Sequence, residues 1–353
     1  MVSEFYEGSQ VYKYVLKRNL GAGCFGEVWL AHDDTINKDV AIKMIRQSGP
    51  LTMDKFKEAW IGNRFDHPNL IKVHYADVVK VASGNLYFII VMDFLAAGAI
   101  TGRLNSRGFM PLPDTLHVMR NVLFGLDHLH RAQFFHNDIK PSNILIGHMG
   151  QAVISDYGVT RQPGETTDLQ CYYLHRAPEI YAGKDASVQT DLYQSGLTMY
   201  RLLCGDGVLG RYWQEVGETN YIKAVMGGSL VSDKVFPDYV PTRVRSIIKK
   251  AVAVNPEERF HSAIQMQQEL EKLSYPGFWT ADENDMLIGR KSATDNVYLF
   301  EEGAVGGGLY QFTAKIRYPS GKVNKLGRFC KTKINQKDLV KIRRMYIKWV
   351  VEE

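Results

Sequence analysis

Residues 136–143 decide the fold, and they read His136-Asn137-Asp138-Ile139-Lys140-Pro141-Ser142-Asn143. The proline disfavours a helix, so we expect a loop that presents polar side chains. Asp138 can accept a proton, Lys140 can neutralise a phosphate, and Asn143 can bind a metal ion. Because phosphoryl transfer to a hydroxyl group needs these three capabilities, the stretch predicts a catalytic loop.

A second carboxylate follows this loop at the end of a short apolar run. Residues 153–158 read Val-Ile-Ser-Asp-Tyr-Gly, which places Asp156 thirteen residues after Asn143. Carboxylate and amide oxygens are the ligands that Mg²⁺ prefers, so these two side chains could share one ion.

The composition is that of a folded protein with more than one domain. The chain has 353 residues, of which 45% are hydrophobic and 23% charged, and this length suits two or three domains. The four cysteines include no close pair, which argues against a zinc cluster and a disulfide framework. We find neither an export signal nor about 18 uninterrupted apolar residues, so the sequence predicts a cytoplasmic protein without a membrane partner.

Three further motifs precede the catalytic loop. Residues 21–28 are glycine-rich between two strand-like runs, which predicts a hairpin whose backbone can approach phosphate oxygens. Lys43 ends a buried-strand pattern, and Glu58 lies on a helical segment, 54–61, where it could pair with Lys43. The apolar run 86–92 predicts another buried strand. Each pattern alone is also typical of ordinary turns, edges and core strands.

Helical spacing and three short motifs mark the rest of the first 273 residues. Apolar residues recur at helical spacing from Asp114 to Arg131, which predicts a long buried helix. After the second carboxylate come Ala177-Pro178-Glu179, then Asp191 on a helical segment, and finally Arg259.

The order of these motifs resembles that of eukaryotic-like (Hanks-type) serine/threonine protein kinases, over residues 12 to about 273. The resemblance implies an α+β chain with a two-lobed protein-kinase fold, a β-rich N-lobe and a helical C-lobe. The expected divisions are an N-terminal tail at 1–11, the N-lobe at 12–95, the C-lobe at 96–275 and a small, basic α+β domain at 276–353.

The resemblance also implies a role for each matching residue. The catalytic residues would be Asp138, Lys140, Lys43 and Glu58, and the metal ligands Asn143 and Asp156. The nucleotide would be bound by Gly21, Gly23, Phe25, Gly26, Val28, Ala41, Lys43, Met92, Asp93, Leu95 and Leu145. Structural roles would fall to His136, Glu179, Asp191 and Arg259, with Arg259 and Glu179 forming a buried pair.

Three positions depart from the family pattern. Asn137 replaces the usual arginine before the catalytic aspartate, so the cation that receives an activating phosphate is missing. Tyr172 stands where serine/threonine kinases normally have a threonine, which puts the acceptor specificity in doubt. Tyr157 replaces phenylalanine and keeps the ring.

Residues 276–353 lie outside the resemblance. Residues 311–353 hold twelve Lys or Arg against three Asp or Glu. Period-two alternation over 312–318 predicts a strand, residues 319–322 a turn, and residues 306–308 a flexible break. Asn335 is expected to cap a helix that packs Leu339, Ile342, Tyr346 and Trp349 inward and leaves a basic stripe outside. The stripe could bind an acidic protein or a nucleic acid, or it could be a solvated face.

The resemblance therefore predicts a kinase that uses ATP and Mg²⁺ or Mn²⁺ to phosphorylate serine or threonine in a protein substrate. A partner could control it through residues 276–353. Two alternatives remain open. One is a catalytically silent kinase fold that acts as a scaffold, although Lys43, Glu58, Asp138, Asn143 and Asp156 are all present. The other is a phosphotransferase for small molecules.

Overall fold

The structure is a computed structural model, in which residues 4–23, 26–47, 57–165 and 173–353 are described. Its N-terminal part is an antiparallel sheet of six strands in the order β1-β2-β3-β4-β6-β5. The strands are β1 (Gln10–Val11), β2 (Tyr14–Gly23), β3 (Gly26–Asp33), β4 (Lys38–Arg46), β5 (Val73–Lys80) and β6 (Leu86–Asp93). Residues 87–92 of β6 are buried on both faces, which explains why this strand is a continuous apolar run.

Helix α1 (Lys57–Arg64) packs against one face of this sheet. Its inner side carries Ala59 and Ile61, and it also buries Glu58. Gly62 allows the helix to approach β5 closely, because a Cβ atom there would lie 2.3 Å from a methyl group of Val73. Residues 54–56 of the predicted helical segment lie outside the described residues.

The C-lobe is helical and is built around two buried helices. Helix α2 begins at Leu112, two residues before the predicted start, and buries its apolar stripe completely. Helix α4 is buried from Thr190 to Leu203, on all sides, as expected for a helix at the centre of a domain. The helices of this lobe are α2 (Leu112–Arg131), α3 (Pro178–Tyr181), α4 (Val188–Cys204), α5 (Val208–Met226), α6 (Thr242–Ala251) and α7 (Ala263–Glu271).

A two-stranded ribbon, β7 (Ile144–Ile146) with β8 (Ala152–Ile154), connects the lobes. The backbone N–H of Ile71 donates to the carbonyl of Ile154 at 2.8 Å. Gly125 on α2 permits this close packing, since a Cβ atom there would lie 2.9 Å from the carbonyl oxygen of Asn69. The loops before and after the ribbon therefore have a rigid base.

Residues beyond the C-lobe form a second antiparallel sheet covered by one helix. Five strands run in the order β13-β12-β11-β10-β9, and β14 also pairs with β12. Helix α8 follows an Asn335 cap whose side chain accepts the N–H of Asp338 at 2.9 Å. The elements are β9 (Gly277–Ala281), β10 (Leu287–Lys291), β11 (Thr294–Gly306), β12 (Leu309–Arg317), β13 (Val323–Lys325), β14 (Lys331–Ile334) and α8 (Gln336–Glu352).

Two details of this domain differ from the sequence predictions. The glycines 306–308 are the tight end of the β11–β12 hairpin, with φ of 94°, 59° and 73°, and not a break between elements. Glycine adopts these positive φ values at no steric cost, which explains why three glycines follow one another in this turn. Trp349, which was expected to pack inward, is only half-buried, and Lys291 and Arg328 lie over its ring at 4.1 and 4.2 Å.

The C-terminal domain contacts the C-lobe through polar groups. Arg107 donates to the backbone carbonyl of Asp285, and Ser106 donates to its carboxylate at 2.9 Å. Arg344 on α8 pairs with Asp238 at 2.9 Å, so this member of the predicted basic stripe is engaged within the chain. Within the described ranges no helix combines the length and apolar character needed to cross a membrane.

Candidate active site

A cavity of about 330 Å³ lies between the lobes, under the β2–β3 hairpin. Eight of the predicted nucleotide-binding residues line it, together with the predicted metal ligands Asn143 and Asp156. These eight are Gly21, Val28, Ala41, Lys43, Met92, Asp93, Leu95 and Leu145. The backbone N–H of Asp93 donates to the carbonyl of Lys72 at 3.0 Å.

Three predicted nucleotide-binding positions do not line the cavity as described. Phe25, with its neighbour Cys24, lies outside the described residues. Gly23 and Gly26 pair with each other at the end of the hairpin. Gly26 has a φ of 116°, and a Cβ atom there would lie 2.2 Å from the carbonyl oxygen of Met44. Close approach to β4 is therefore sufficient reason for this glycine.

Several residues of the cavity wall were not predicted site residues, and these are Arg18, Leu20, Phe94, Ala96, Gly98, Ala99, Ser142 and Ser155. The first two could have been found. Residues 18 and 20 have the spacing that places side chains on one face of a strand, directly before Gly21.

Lys43 is a buried cation in the wall of the cavity. Its Nζ lies 2.8 Å from Oε1 of Glu58 and 2.8 Å from Oδ1 of Asp156. Burial alone would lower the pKa of Lys43, but the two carboxylates outweigh it and raise that pKa above its ordinary value. Burial likewise opposes ionisation of Asp156, and Lys43 overcomes it, so the pKa of Asp156 lies below its usual value. Both groups are therefore charged at neutral pH.

Asp138 is buried, and its two carboxylate oxygens have different surroundings. Oδ2 accepts from Nζ of Lys140 at 2.6 Å and from Nδ2 of Asn143 at 2.8 Å. Oδ1 has no hydrogen-bond partner among the described residues. Asn143 also donates to the carbonyl of Asp138 at 3.0 Å, which leaves the amide oxygen of Asn143 for a metal ion.

Helix α4 fixes the backbone of the catalytic loop. The carboxylate of Asp191 accepts the N–H groups of His136 at 2.9 Å and Asn137 at 2.6 Å. Gln194, which the sequence analysis missed, accepts from Ile139 and donates to Asn137, each at 2.9 Å. Gln194 contacts only the backbone of the loop and lies far from it in the sequence. A single sequence gives no signal for such a residue, because only the fold brings it to the loop.

His136 and Tyr157 pack beneath the second carboxylate. The His136 ring donates to the carbonyl of Ser155 at 3.1 Å and lies 5.9 Å from the ring of Tyr157. The hydroxyl of Tyr157 donates to Ile71 at 3.1 Å, a bond that phenylalanine could not make. Asp156 has a φ of 68°, a left-handed conformation that aspartate tolerates better than most residues.

The remaining predicted structural residues form a buried ion pair below the site. Arg259 donates to both carboxylate oxygens of Glu179, at 2.8 and 2.7 Å. Thr190 on α4 also donates to Glu179, at 2.9 Å. This network ties α3 to α4 and to the loop after α6.

Asn137, the departure from the usual arginine, is also buried, with 1% of its surface exposed. Its φ is 63°, and neither polar atom of its side chain has a partner among the described residues. Tyr172, the second departure, lies outside those residues.

Comparison with known proteins fits this geometry, since residues 14–270 match the protein kinase domain family. The chain belongs to this family. The family recognised from the motifs, and the α+β kinase fold, are therefore confirmed. Residues 271–353 lie outside the match.

Bacterial relatives carry serine/threonine kinase names. The chain is 28% identical to the serine/threonine-protein kinase PrkC of Bacillus subtilis, over 73% of this chain and 40% of that protein. It is 28% identical to PknJ of Mycobacterium tuberculosis, over 74% of this chain and 46% of the relative. It is 25% identical to PknB of Mycobacterium leprae, over 73% of this chain and 42% of that protein. The chain thus spans less than half the length of these relatives.

Proposed function

We propose that this chain is an ATP- and magnesium-dependent protein kinase that phosphorylates serine or threonine, with the His-Asn-Asp form of the catalytic loop. Membership of the kinase family supports phosphoryl transfer, and the names of the relatives support these acceptors.

The arrangement at Asp138 carries the proposal. One carboxylate oxygen is fixed by Lys140 and Asn143, and the other has no partner among the described residues, so it can accept the proton of an acceptor hydroxyl. Lys140 would then neutralise the phosphoryl group as it transfers. A kinase fold that had become silent would not need to keep this arrangement.

The cavity suits ATP and a divalent ion. Its volume falls within the range of about 300–1,000 Å³ that is typical of ligand pockets. Val28, Ala41 and Leu145 offer apolar surface for a base, and Lys43 offers a charge for the phosphates. The amide oxygen of Asn143 and the carboxylate of Asp156 are hard ligands that fit Mg²⁺ or Mn²⁺. When bound, the ion bridges phosphate oxygens and neutralises their charge.

The test uses peptide mixtures whose only hydroxyl acceptor is serine, threonine or tyrosine. The chain is incubated with γ-labelled ATP and Mg²⁺, and label in each mixture and in the chain itself is measured. We expect label on serine or threonine, and a preparation with EDTA as the control should show none. Label on tyrosine alone would refute the acceptor assignment. Label on added sugars or amino alcohols, but on no peptide, would favour a small-molecule phosphotransferase.

The C-terminal domain, which we place at residues 276–353, is proposed to bind an acidic segment of a protein partner. Lys337 and Lys341 on α8 are exposed, and no carboxylate pairs with either within the described part of the chain. Replacing both with glutamate should abolish retention of the chain on immobilised polyglutamate at low salt. Unchanged retention would favour the solvated-face interpretation, and selective binding of a single-stranded oligonucleotide would favour nucleic acid.

A further inference from the structure

An ion pair connects helix α1 to the segment that follows the metal ligand Asp156. Lys57, the first described residue of α1, donates to Oε2 of Glu165. The side chains of Lys57 and Glu165 are 20% and 37% exposed, so the pair is partly shielded from water. Neither residue belongs to the catalytic arrangement described above.

Glu165 also organises its own turn. Its carboxylate accepts the backbone N–H of Gln162 at 2.7 Å, and its N–H donates to the carbonyl of Gln162 at 3.1 Å. Burial opposes ionisation of this carboxyl, but Lys57 and the N–H of Gln162 outweigh it and lower the pKa of Glu165. The carboxylate is therefore charged at neutral pH.

The turn is anchored to the catalytic loop on its other side. Arg161 and Phe135 exchange two backbone hydrogen bonds, of 2.8 and 2.9 Å. Phe135 immediately precedes His136. These two hydrogen bonds therefore attach the turn that contains Glu165 to the start of the loop that contains Asp138.

On the side of α1, the pair lies next to the residue that orients Lys43. Lys57 is the neighbour of Glu58, and Glu58 holds Nζ of Lys43 at 2.8 and 2.9 Å. A continuous path of contacts therefore runs from the catalytic loop through Arg161, Glu165 and Lys57 to Glu58. The described part of α1 has only eight residues, and Lys57 is next to Glu58. A contact at Lys57 therefore affects the position of Glu58 directly.

We propose that Glu165 and Lys57 are positioning residues, whose ion pair holds α1 in the place where Glu58 engages Lys43 without any phosphate on the segment between Asp156 and Glu179. This inference rests on the proposed kinase function. The glutamate provides the negative charge that a phosphorylated residue would otherwise supply, and the cation is on α1. Asn137 agrees with this arrangement, because the loop has no arginine at the position that would bind such a phosphate.

The test compares Glu165→Gln, Lys57→Gln and the exchanged chain Lys57→Glu with Glu165→Lys. Each single variant should lower kcat about tenfold, equivalent to about 1.4 kcal/mol of barrier. KM for the peptide should change little. The exchanged chain should be faster than either single variant, since the opposite charges meet again. It should stay below the original, because Glu165→Lys loses the acceptor for the N–H of Gln162. Phosphatase treatment of the original chain should leave kcat unchanged.

Lys249→Gln is the matched control, because Lys249 pairs with Asp233 on the surface of the C-lobe. It should leave kcat unaltered. Single variants that keep the original kcat, or an exchanged chain no faster than the single variants, would overturn the proposal. A large loss of kcat after phosphatase treatment would do the same.

Hydrogen exchange separates this inference from the proposed function, because it needs no turnover. In Glu165→Gln the amides of residues 58–64 should exchange faster, while those of α2 keep their rates. If the original chain transfers no phosphate, the proposed function fails. Even then, an unchanged exchange rate of the α1 amides in Glu165→Gln would show that the Lys57–Glu165 ion pair does not hold α1 in place.

Discussion

The two oxygen atoms of the buried Asp138 carboxylate have different surroundings in this site. Oδ2 of Asp138 is held by Lys140 and Asn143, which fixes the side chain in one rotamer. Oδ1 has no partner among the described residues, and under the proposed function it would accept the proton of the acceptor hydroxyl. Each aspartate pairs with a lysine, Asp138 with Lys140 and Asp156 with Lys43. Asp156 also lines the cavity between the lobes.

Replacing Asp156 by asparagine tests the metal-binding assignment. Asp156→Asn keeps the shape of the side chain but removes its charge, so transfer should fall at least about a hundredfold, or about 2.7 kcal/mol of barrier. The urea midpoint should hardly move, because Lys43 keeps Glu58 as its partner. Initial rates over a range of Mg²⁺ concentrations measure the effect, with the exposed Asp34→Asn as the control. Full activity in Asp156→Asn would refute the assignment.

At the scale of elements, buried polar groups lock the helices of the C-lobe to the loops of the site. Glu179 on α3 is bound by Arg259 and by Thr190 of α4. His175 donates to the carbonyl of Ile139 at 2.8 Å and accepts from Arg201 of α4 at 3.0 Å. The segment after Asp156 therefore ends in a rigid support.

Removing Arg259 should destabilise the chain strongly. Arg259→Met leaves the buried carboxylate of Glu179 without its cation, and losing one partner of a buried ion pair costs about 3–5 kcal/mol. Urea unfolding measures the free energy. Arg243→Met is the control, because Arg243 is exposed and 3.8 Å from Glu269, and it should cost less than about 1 kcal/mol. An equal decrease in the free energy of unfolding in the two variants would show that the buried Glu179–Arg259 pair stabilises the chain no more than an exposed pair does.

The neutral histidines of the C-lobe predict a loss of stability in mild acid. Burial and Arg201 hold the pKa of His175 well below 6.5, and burial lowers that of His136. Their folded pKa values lie below the unfolded ones, so the stability is complete above pH 6.5. As the pH falls below 6.5, these histidines bind protons in the unfolded chain but not in the folded one. The free energy of unfolding therefore decreases by up to about 1.4 kcal/mol per pH unit for each histidine.

Urea unfolding between pH 7.5 and 5.5 measures this loss. His175→Gln keeps a donor for Ile139 and an acceptor for Arg201, and it should make the decline below pH 6.5 shallower. The exposed His148→Gln should leave the slope unchanged. If the original chain is equally stable at both pH values, the two buried histidines are not held neutral.

At the scale of the whole molecule, a kinase domain carries a β-sheet domain that contacts the rear of its C-lobe. The described contacts include two surface ion pairs, Arg344 with Asp238 and Arg107 with Asp285. Such exposed pairs contribute about 0–1 kcal/mol each. Tyr346 packs against Trp279, Phe312 and Phe329 inside the C-terminal domain. These rings belong to the same apolar cluster as the core of the C-lobe, so apolar packing also joins the two domains.

How much the sequence could predict depended on the range of the interactions. The kinase fold was predicted from the resemblance of the motif order to Hanks-type kinases, which Asp138, Asn143 and the later Asp156 carry in part. Helix α8 was predictable because its cap and its apolar spacing are local. Strands β9, β10 and β14 were missed, because β9 and β10 are short and β14 is largely exposed, which leaves little periodicity to read.

Contacts between distant residues were the part that the sequence could not supply. Gln194, His175 and the pair of Lys57 with Glu165 join segments far apart in the chain, and nothing local in the sequence selects their partners. The glycines 306–308 were misread for a related reason. A glycine run has one meaning in a linker and another in a hairpin, and only the flanking strand pairing decides between them.

We propose that Asp138 makes this fold an active kinase, and the rate of phosphate transfer by Asp138→Asn tests this most directly. The full-length chain, Asp138→Asn and the control Asp39→Asn are compared with γ-labelled ATP, Mg²⁺ and the acceptor peptides, while binding of a fluorescent ATP analogue is measured in parallel. We predict that Asp138→Asn binds the nucleotide as the original does but transfers phosphate at least about a hundredfold more slowly, with Asp39→Asn unaffected. Equal rates in the original and Asp138→Asn, or nucleotide binding without transfer in all three, would contradict the claim.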